Sequence, residues 1–279
     1  MTDCLKVMSF NLRADFKHDK KNGWDFRKEY AMQLIKDSGS VIIGVQELLP
    51  KMREDVQLLL KNYKILGEGR YNGTKGSGDE HSDIIVNKDE VDAESYKTFW
   101  LSKNNEEVSR AYYAFFPRIC TVAEVYVKAL GTYIRVFNTH FDHICGMARV
   151  LGVNIILRMM SELNEEKPMP NILMGDMNAR PNSRPIQILS KNLHPYKNIK
   201  LINVYSADKQ GDIKKTHHGF KNSGFLTWLI DRAPIDYIFV SDEFKVLNTY
   251  VDCSSFNGRF PSDHFPLVTV LKLKNKEQN

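Results

Sequence analysis

The chain has 279 residues, 42% hydrophobic and 26% charged, the usage of a soluble globular protein long enough for a well-buried core. No run approaches the roughly 18 apolar residues of a membrane span, so no membrane association is expected. The net charge of +5 comes from lysines scattered along the chain and in the tail LKLKNKEQN, and a solvated surface explains it as well as a nucleic-acid partner does.

The elements alternate between the two hydrophobic periods. LKVMSFNLR reads as a strand, RKEYAMQLIKD from Arg27 to Asp37 as an amphipathic helix, and SVIIGVQE as a buried strand that ends in polar residues. MREDVQLLLKN is a second helix and YKILGEG a strand, followed by a glycine-rich polar loop over residues 69–82. DIIVNKD, TVAEVYVKA and YIRVFNTHF are strands, and MARVLGVNIILRMMSELNEE is the longest helix. NILMGDMNA, INVYSA, IDYIFVSD, VLNTYVDC and PLVTVLKL complete a β-rich second half. Short turns, and the lack of any linker or repeat, predict one α/β domain over residues 1–279, with sheets sandwiched between helices.

The start, MTDCLKVMSFNLR, lacks the basic and apolar regions of a signal peptide. Cys4, Cys120, Cys145 and Cys253 form no C-x-x-C pair, hence neither a zinc pattern nor a disulfide framework. A reduced, cytoplasmic location is the expectation, with no obligate protein partner evident.

Five apolar strands end abruptly in residues that are costly to bury and useful for metal or phosphate: Asn11, Glu47, His140, the pair Asp176 and Asn178, and the pair Asp263 and His264. Asp236 differs, because it opens its strand instead of ending one. In GDMN, a turn at Gly175 presents Asp176 and Asn178 two residues apart, on one side of an extended stretch; a plain turn explains the same letters. Asp263-His264 reads as a carboxylate and an imidazole for metal or phosphate, or as a strand cap. His140 stands at a strand mouth, with Asp142 and His143 in the same loop. Glu47 closes a nearly continuous apolar run, where a carboxylate needs a cation or hydrogen-bond donors; hard oxygen ligands of this kind suit Mg²⁺ or Mn²⁺.

In this order and spacing, MSFNLR, GVQE, FNTHFDH, MGDMNARPNS, IDYIFVSD and FPSDHFPLV resemble the endonuclease/exonuclease/phosphatase superfamily with the DNase I-like fold, over nearly the whole chain. TFWLS, FPRICT, THHGF and GRFPSDHFP are similar to a bacterial subgroup of poorly assigned activity. The resemblance implies an α/β (α+β) four-layer sandwich, two mixed β-sheets packed face to face and flanked by helices, with the site at one end. It further implies an Mg²⁺ (or Mn²⁺)-dependent hydrolase of phosphate esters. By position, Glu47 would be the principal metal ligand with Asn11 beside it, and Asp263 would complete the metal or histidine network. Asp176 would orient or deprotonate the attacking water, Asn178 would hold a phosphate oxygen, and His264, polarised by Asp236 or oriented alongside it, would contact the phosphate. His140 would stand near the leaving-group oxygen, supported by Glu80 across a variable loop.

Arg118 reads equally as a phosphate ligand or a surface salt bridge, and His217 and His218 as pocket lining or as structural residues. Trp24, Trp100 and Trp228 read as packing. Fold alone does not fix the substrate. A small phosphorylated metabolite is the first expectation, with a nuclease on DNA or RNA as the alternative. A sphingomyelinase-type lipid diesterase lacks its exposed apolar hairpin here. A non-catalytic binding module on the same fold is disfavoured, since Glu47, Asp176, Asp263 and His264 are all present.

Overall fold

The computed structural model describes residues 3–207, 215–220 and 233–274, so Trp228 lies outside the described residues. In chain order the described elements are β1 (Leu5–Asn11), α1 (Trp24–Ser38), β2 (Ile42–Gln46), α2 (Pro50–Leu59), β3 (Tyr63–Leu66), β4 (Ile84–Asn87), β5 (Val91–Trp100), β6 (Ile119–Val127), β7 (Thr132–His140), α3 (Gly146–Glu166), β8 (Asn171–Asp176), α4 (Arg184–Ser190), β9 (Leu201–Asn203), β10 (Asp236–Ser241), β11 (Phe244–Val251) and β12 (Leu267–Leu273).

Strands apolar at nearly every position need cover on both faces, and β1 shows how they get it. Leu5 and Val7 join Val125, Val136 and Ile238 between the sheets, while Met8 and Phe10 face the other way onto Ala31, Ile35 and Met52 of the helices. The same alternation runs through the second sheet, where Phe137, Leu173 and Phe239 meet Val153, Leu157 and Ile186 of α3 and α4. The result is four layers: α1 and α2, the sheet β11-β12-β1-β2-β4-β3, the sheet β5-β6-β7-β8-β10-β9, then α3 and α4. Each sheet is mixed, with one parallel pair near its middle: β1 with β2, joined through α1, and β7 with β8, joined through α3. This is the architecture expected from the sequence.

Two elements escape the hydrophobic pattern. β5 (VDAESYKTFW) is an edge strand whose middle is largely exposed, so it carries no apolar alternation to find. α4 is seven residues long, too short to declare a helical period. INVYSA yields only three strand residues before a 3₁₀ turn over Val204–Ala207.

The sheets are tied together directly behind the site. Asn138 of β7 donates to the carbonyls of Val45 (2.9 Å) and Asp83 (2.8 Å) on the opposite sheet, and accepts from Gln46 Nε2 at 2.7 Å. Gly44 makes this approach possible: a Cβ there would lie 2.6 Å from Asn138 Oδ1 and 2.7 Å from Met174 Sδ. Truncating Asn138 removes three buried hydrogen bonds, although the Asp83 carbonyl keeps the Val45 N–H and the Gln46 amide keeps the Gly44 carbonyl. Asn138→Ala is therefore expected to lower stability by about 3 kcal/mol, read as a lower urea midpoint at unchanged slope. An unchanged midpoint would show that the network contributes nothing net.

Candidate active site

Strand register gathers the polar residues at one end of the sandwich. In the second sheet His140 of β7 lies opposite Asp176 of β8, and Asp176 opposite Asp236 of β10, so the three form a row across adjacent strands. β10 is antiparallel to β8, which is why a residue that starts its strand meets one that ends its own. In the first sheet Asn11 pairs with Gln46, which places Glu47 one residue past the end of β2. β12 runs antiparallel to β1, with Ser9 opposite Leu267, so the residues just before β12, Asp263 and His264, return to the end where β1 finishes. Arg27, buried on α1, fastens the loops there by donating to the carbonyls of Leu12, Arg13 and Pro261.

Asp176 is the hub. Its Oδ2 accepts from Asn11 Nδ2 at 3.0 Å, its Oδ1 from the Asn178 amide N–H at 2.9 Å, and His140 Nε2 and His264 Nε2 stand 3.6 and 3.8 Å from Oδ2. Asn11 Nδ2 also donates to Glu47 Oε1 at 3.1 Å, so one amide aligns two carboxylates contributed by different sheets. The GDMN segment reaches this arrangement differently from the extended stretch expected of it. The strand continues through Gly175 to Asp176, and the chain turns at Asn178, which sits at φ +44° and places its side chain against His140. Gly175, at φ +146°, has no room for a Cβ, which would overlap the Thr139 carbonyl of the adjoining strand. Asn178 Nδ2 donates to the Phe141 carbonyl at 3.0 Å and lies 3.0 Å from His140 Nε2.

His264 is buried and bonded through Nδ1 to Asp236 Oδ2 at 2.9 Å, which leaves Nε2 facing Asp176. Burial opposes a charge on this ring, but Asp236, Asp176 and Asp263 outweigh it and raise its pKa to about 10. Asp263 is buried too, yet His217, His264 and Arg13 hold its carboxyl well below the usual range. His217 reaches the cleft because residues 216–218 pair with 263–265: a bridge joins His217 to His264, and their rings lie 4.7 Å apart. His218, the next residue, points the opposite way. It stacks on Phe265 at 4.1 Å and meets Phe260 at 4.5 Å, and burial there pushes its pKa down to about 4. Of the two histidines, then, only His217 borders the cleft.

The opposite wall is built around Glu80. Arg70 Nη1 lies 3.1 Å from Glu80 Oε2, and Arg118 Nη1 and His140 Nδ1 lie 3.5 and 3.3 Å from Oε1. Burial raises the Glu80 carboxyl, but the neighbouring His140 and the two guanidiniums overcome it and set it at about 2. Arg118 Nη2 also sits 3.2 Å from His143 Nδ1. Arg118 is thus both ion-paired and on the cleft wall. Asp142, by contrast, caps the turn into α3, accepting from the Ile144 and Cys145 amides. Arg13, Arg70 and Phe116 line the cleft without a sequence signal of their own, because loop residues carry no period that marks which way they face. The cleft has a volume of about 370 Å³.

The donor set suits a hard divalent cation at Glu47. Its two oxygens accept only neutral donors, Asn11 Nδ2 and the Ala14 N–H at 2.9 Å, and among the described residues no basic side chain pairs with it. Asn11 is oriented otherwise than a ligand would be. Its oxygen accepts the Arg13 N–H at 2.9 Å and its nitrogen faces the carboxylates, so it offers a donor there and not an oxygen. Among the described residues, His217, Asp263 and His264 form one group close enough to hold a metal, and Asp176, Asp236 and His264 another; Glu47 belongs to neither.

Two helix-covered mixed sheets, with acids, amides and histidines converging at one end, define a DNase I-like α/β sandwich. The chain belongs to the endonuclease/exonuclease/phosphatase family, whose model matches residues 8–264, and is a hydrolase. A family protein from Bacteroides thetaiotaomicron is 30% identical with a TM-score of 0.88, over 99% of this chain and 97% of that one. A mannosyl-6-phosphatase from the same organism is 31% identical with a TM-score of 0.85, over 96% and 99%. The human nocturnin catalytic domain, at 19% identity and a TM-score of 0.73 over 97% and 94%, shares the fold. No curated protein sequence matches the chain. No described helix is long and apolar enough to cross a membrane.

Proposed function

We propose that this chain is a divalent-metal-dependent phosphoesterase that hydrolyses a phosphomonoester of a small metabolite by in-line attack of water. The observation that carries the reading is the convergence of Asn11, His140, Asn178 and His264 on the Asp176 carboxylate, with Glu47 joined to it through Asn11. A cleft of about 370 Å³ suits a small ligand, and the similarity to a mannosyl-6-phosphatase supports a phosphorylated metabolite over a nucleic-acid strand.

Each residue has a task that its contacts suit. Asp176, held rigidly by two amide donors, orients a water and accepts its proton. His264, kept cationic by its three carboxylates, meets the non-bridging oxygens where negative charge grows, and Asp236 fixes which nitrogen faces them. Asn178 would turn the Nδ2 hydrogen that now faces His140 Nε2 toward a phosphate oxygen, keeping its other on the Phe141 carbonyl. His140, backed by Glu80, stands on the side of the leaving oxygen. Glu47 would hold Mg²⁺ or Mn²⁺, with Asp263 near it; the metal would neutralise phosphate charge. Arg13, Arg70 and Arg118 supply positive potential along the walls.

The test is turnover of 4-nitrophenyl phosphate and bis(4-nitrophenyl) phosphate with Mg²⁺ or Mn²⁺, and again after chelation. Faster metal-dependent turnover of the monoester is expected. Preference for the diester, with activity on DNA or RNA that falls steeply with salt, would replace this reading by the nuclease one.

A further inference from the structure

The cleft wall around Glu80 holds more positive charge than the chain itself balances. Arg70 comes from the loop between β3 and β4, and Arg118 immediately precedes β6; both line the cleft while only 8% exposed. Among the described residues Glu80 is the ion-pair partner of both, so a single carboxylate answers two guanidiniums. Asp142 also feels the charge of Arg118, but its bonds go to the Ile144 and Cys145 amides, and Arg149 donates to its carbonyl at 2.7 Å. Donors are left over as well. Arg70 reaches Glu80 through Nη1 alone, and the Nε of each arginine is buried without a partner. A buried cation without its counter-charge costs free energy, which an incoming anion offsets. Both guanidiniums are also held in place before any ligand arrives. Arg70 lies 4.5 Å over the Phe116 ring, and Trp100 Nε1 donates to its carbonyl at 2.8 Å. Arg118 Nη2 sits 3.2 Å from His143 Nδ1, and the Arg118 carbonyl accepts the Leu101 N–H at 2.7 Å.

Their place relative to the reacting centre decides what they bind. His140 stands between, with Nδ1 toward Glu80 at 3.3 Å and Nε2 toward Asp176 at 3.6 Å. The arginines thus lie beyond His140 from Asp176, past the side given to the leaving oxygen. We infer that Arg70 and Arg118 bind a second anionic group, a carboxylate or a phosphate carried by the leaving alcohol. The substrate is then a phosphate ester with negative charge at both ends, an assignment that rests on the phosphoesterase reading above. A guanidinium presents a planar fork of N–H donors that matches the paired oxygens of either anion. A neutral alcohol would leave the excess charge of this wall unanswered.

The test has two arms. In the first, the protein is titrated by NMR, without added metal, with gluconate and with glucitol, its uncharged counterpart. Gluconate is expected to bind and glucitol not, with Arg70→Gln and Arg118→Gln each weakening gluconate about tenfold. In the second, kcat/KM is measured on two matched pairs: 6-phosphogluconate against glucitol 6-phosphate, and fructose 1,6-bisphosphate against fructose 6-phosphate. Each glutamine variant should lower kcat on every ester, because Glu80 and His140 lose a neighbour, so the ratio within a pair decides. A preference of about tenfold for the doubly charged ester, carried by KM and lost in both variants, is expected. The pair with the larger preference tells carboxylate from phosphate. Arg118→Lys, which keeps the charge without the fork, should retain part of the preference. Arginine-dependent gluconate binding with no turnover of any ester would keep the anion site and overturn the phosphoesterase reading. Turnover of all four esters with no preference within either pair would overturn the anion site, as would a preference that both glutamine variants retain.

Discussion

Asp176→Asn is expected to lower kcat on a phosphomonoester by about a thousandfold while the protein stays folded. The carboxylate sits where two amides fix both of its oxygens and two histidines flank one of them, an arrangement that aims a single proton acceptor at the cleft. Asparagine has nearly the same shape, but only one of its terminal atoms accepts. It therefore satisfies either the Asn178 N–H or Asn11 Nδ2 and turns a donor toward the other, at a cost of about 1 kcal/mol. That is a small loss for a chain with a core of this size. Thermal melting and circular dichroism beside the kinetics separate the two effects. Turnover within tenfold of wild type would remove Asp176 from the proton-accepting role, and a collapsed melting transition would show that its role is structural.

The second large effect is expected at the His264–Asp236 pair. His264→Ala removes the cation that faces the phosphate and should lower kcat by about a hundredfold to a thousandfold. Asp236→Asn leaves the ring in place but weakens both its charge and its choice of nitrogen, so a smaller loss is expected. The informative variant is the double one. If Asp236 acts only through His264, adding Asp236→Asn to His264→Ala costs nothing more. Multiplicative losses in the double variant would mean that Asp236 works independently, for which its unpaired buried Oδ1 is the available atom.

Much of the fold was legible in the order of residues. Strands such as IIGVQ and NILMGD are apolar at consecutive positions because both faces are covered, and helices such as α3 repeat their apolar residues at helical spacing because one side is covered. The abrupt change from apolar to polar at Asn11, Glu47, His140 and Asp176 was equally plain, because burying such groups in a strand costs free energy unless they have partners. β5 and α4 were not legible. An exposed edge strand and a seven-residue helix have no covered stripe long enough to leave a period.

What the sequence by itself determined is which strands exist and which polar residues stand at their ends. Only the tertiary structure decided which of those ends meet. Asp236 reaches Asp176 because β10 runs antiparallel to β8, and Asn11 reaches Asp176 because the two sheets pack through Asn138 and Gly44. His217 faces the cleft and His218 faces Phe265 because a single backbone bridge to His264 sets the phase of their loop. Arg13, Arg70 and Phe116 belong to the same class of fact. Periodicity records the burial of a residue's own neighbours along the chain, whereas these placements depend on pairings between segments far apart in it, and no local pattern encodes those.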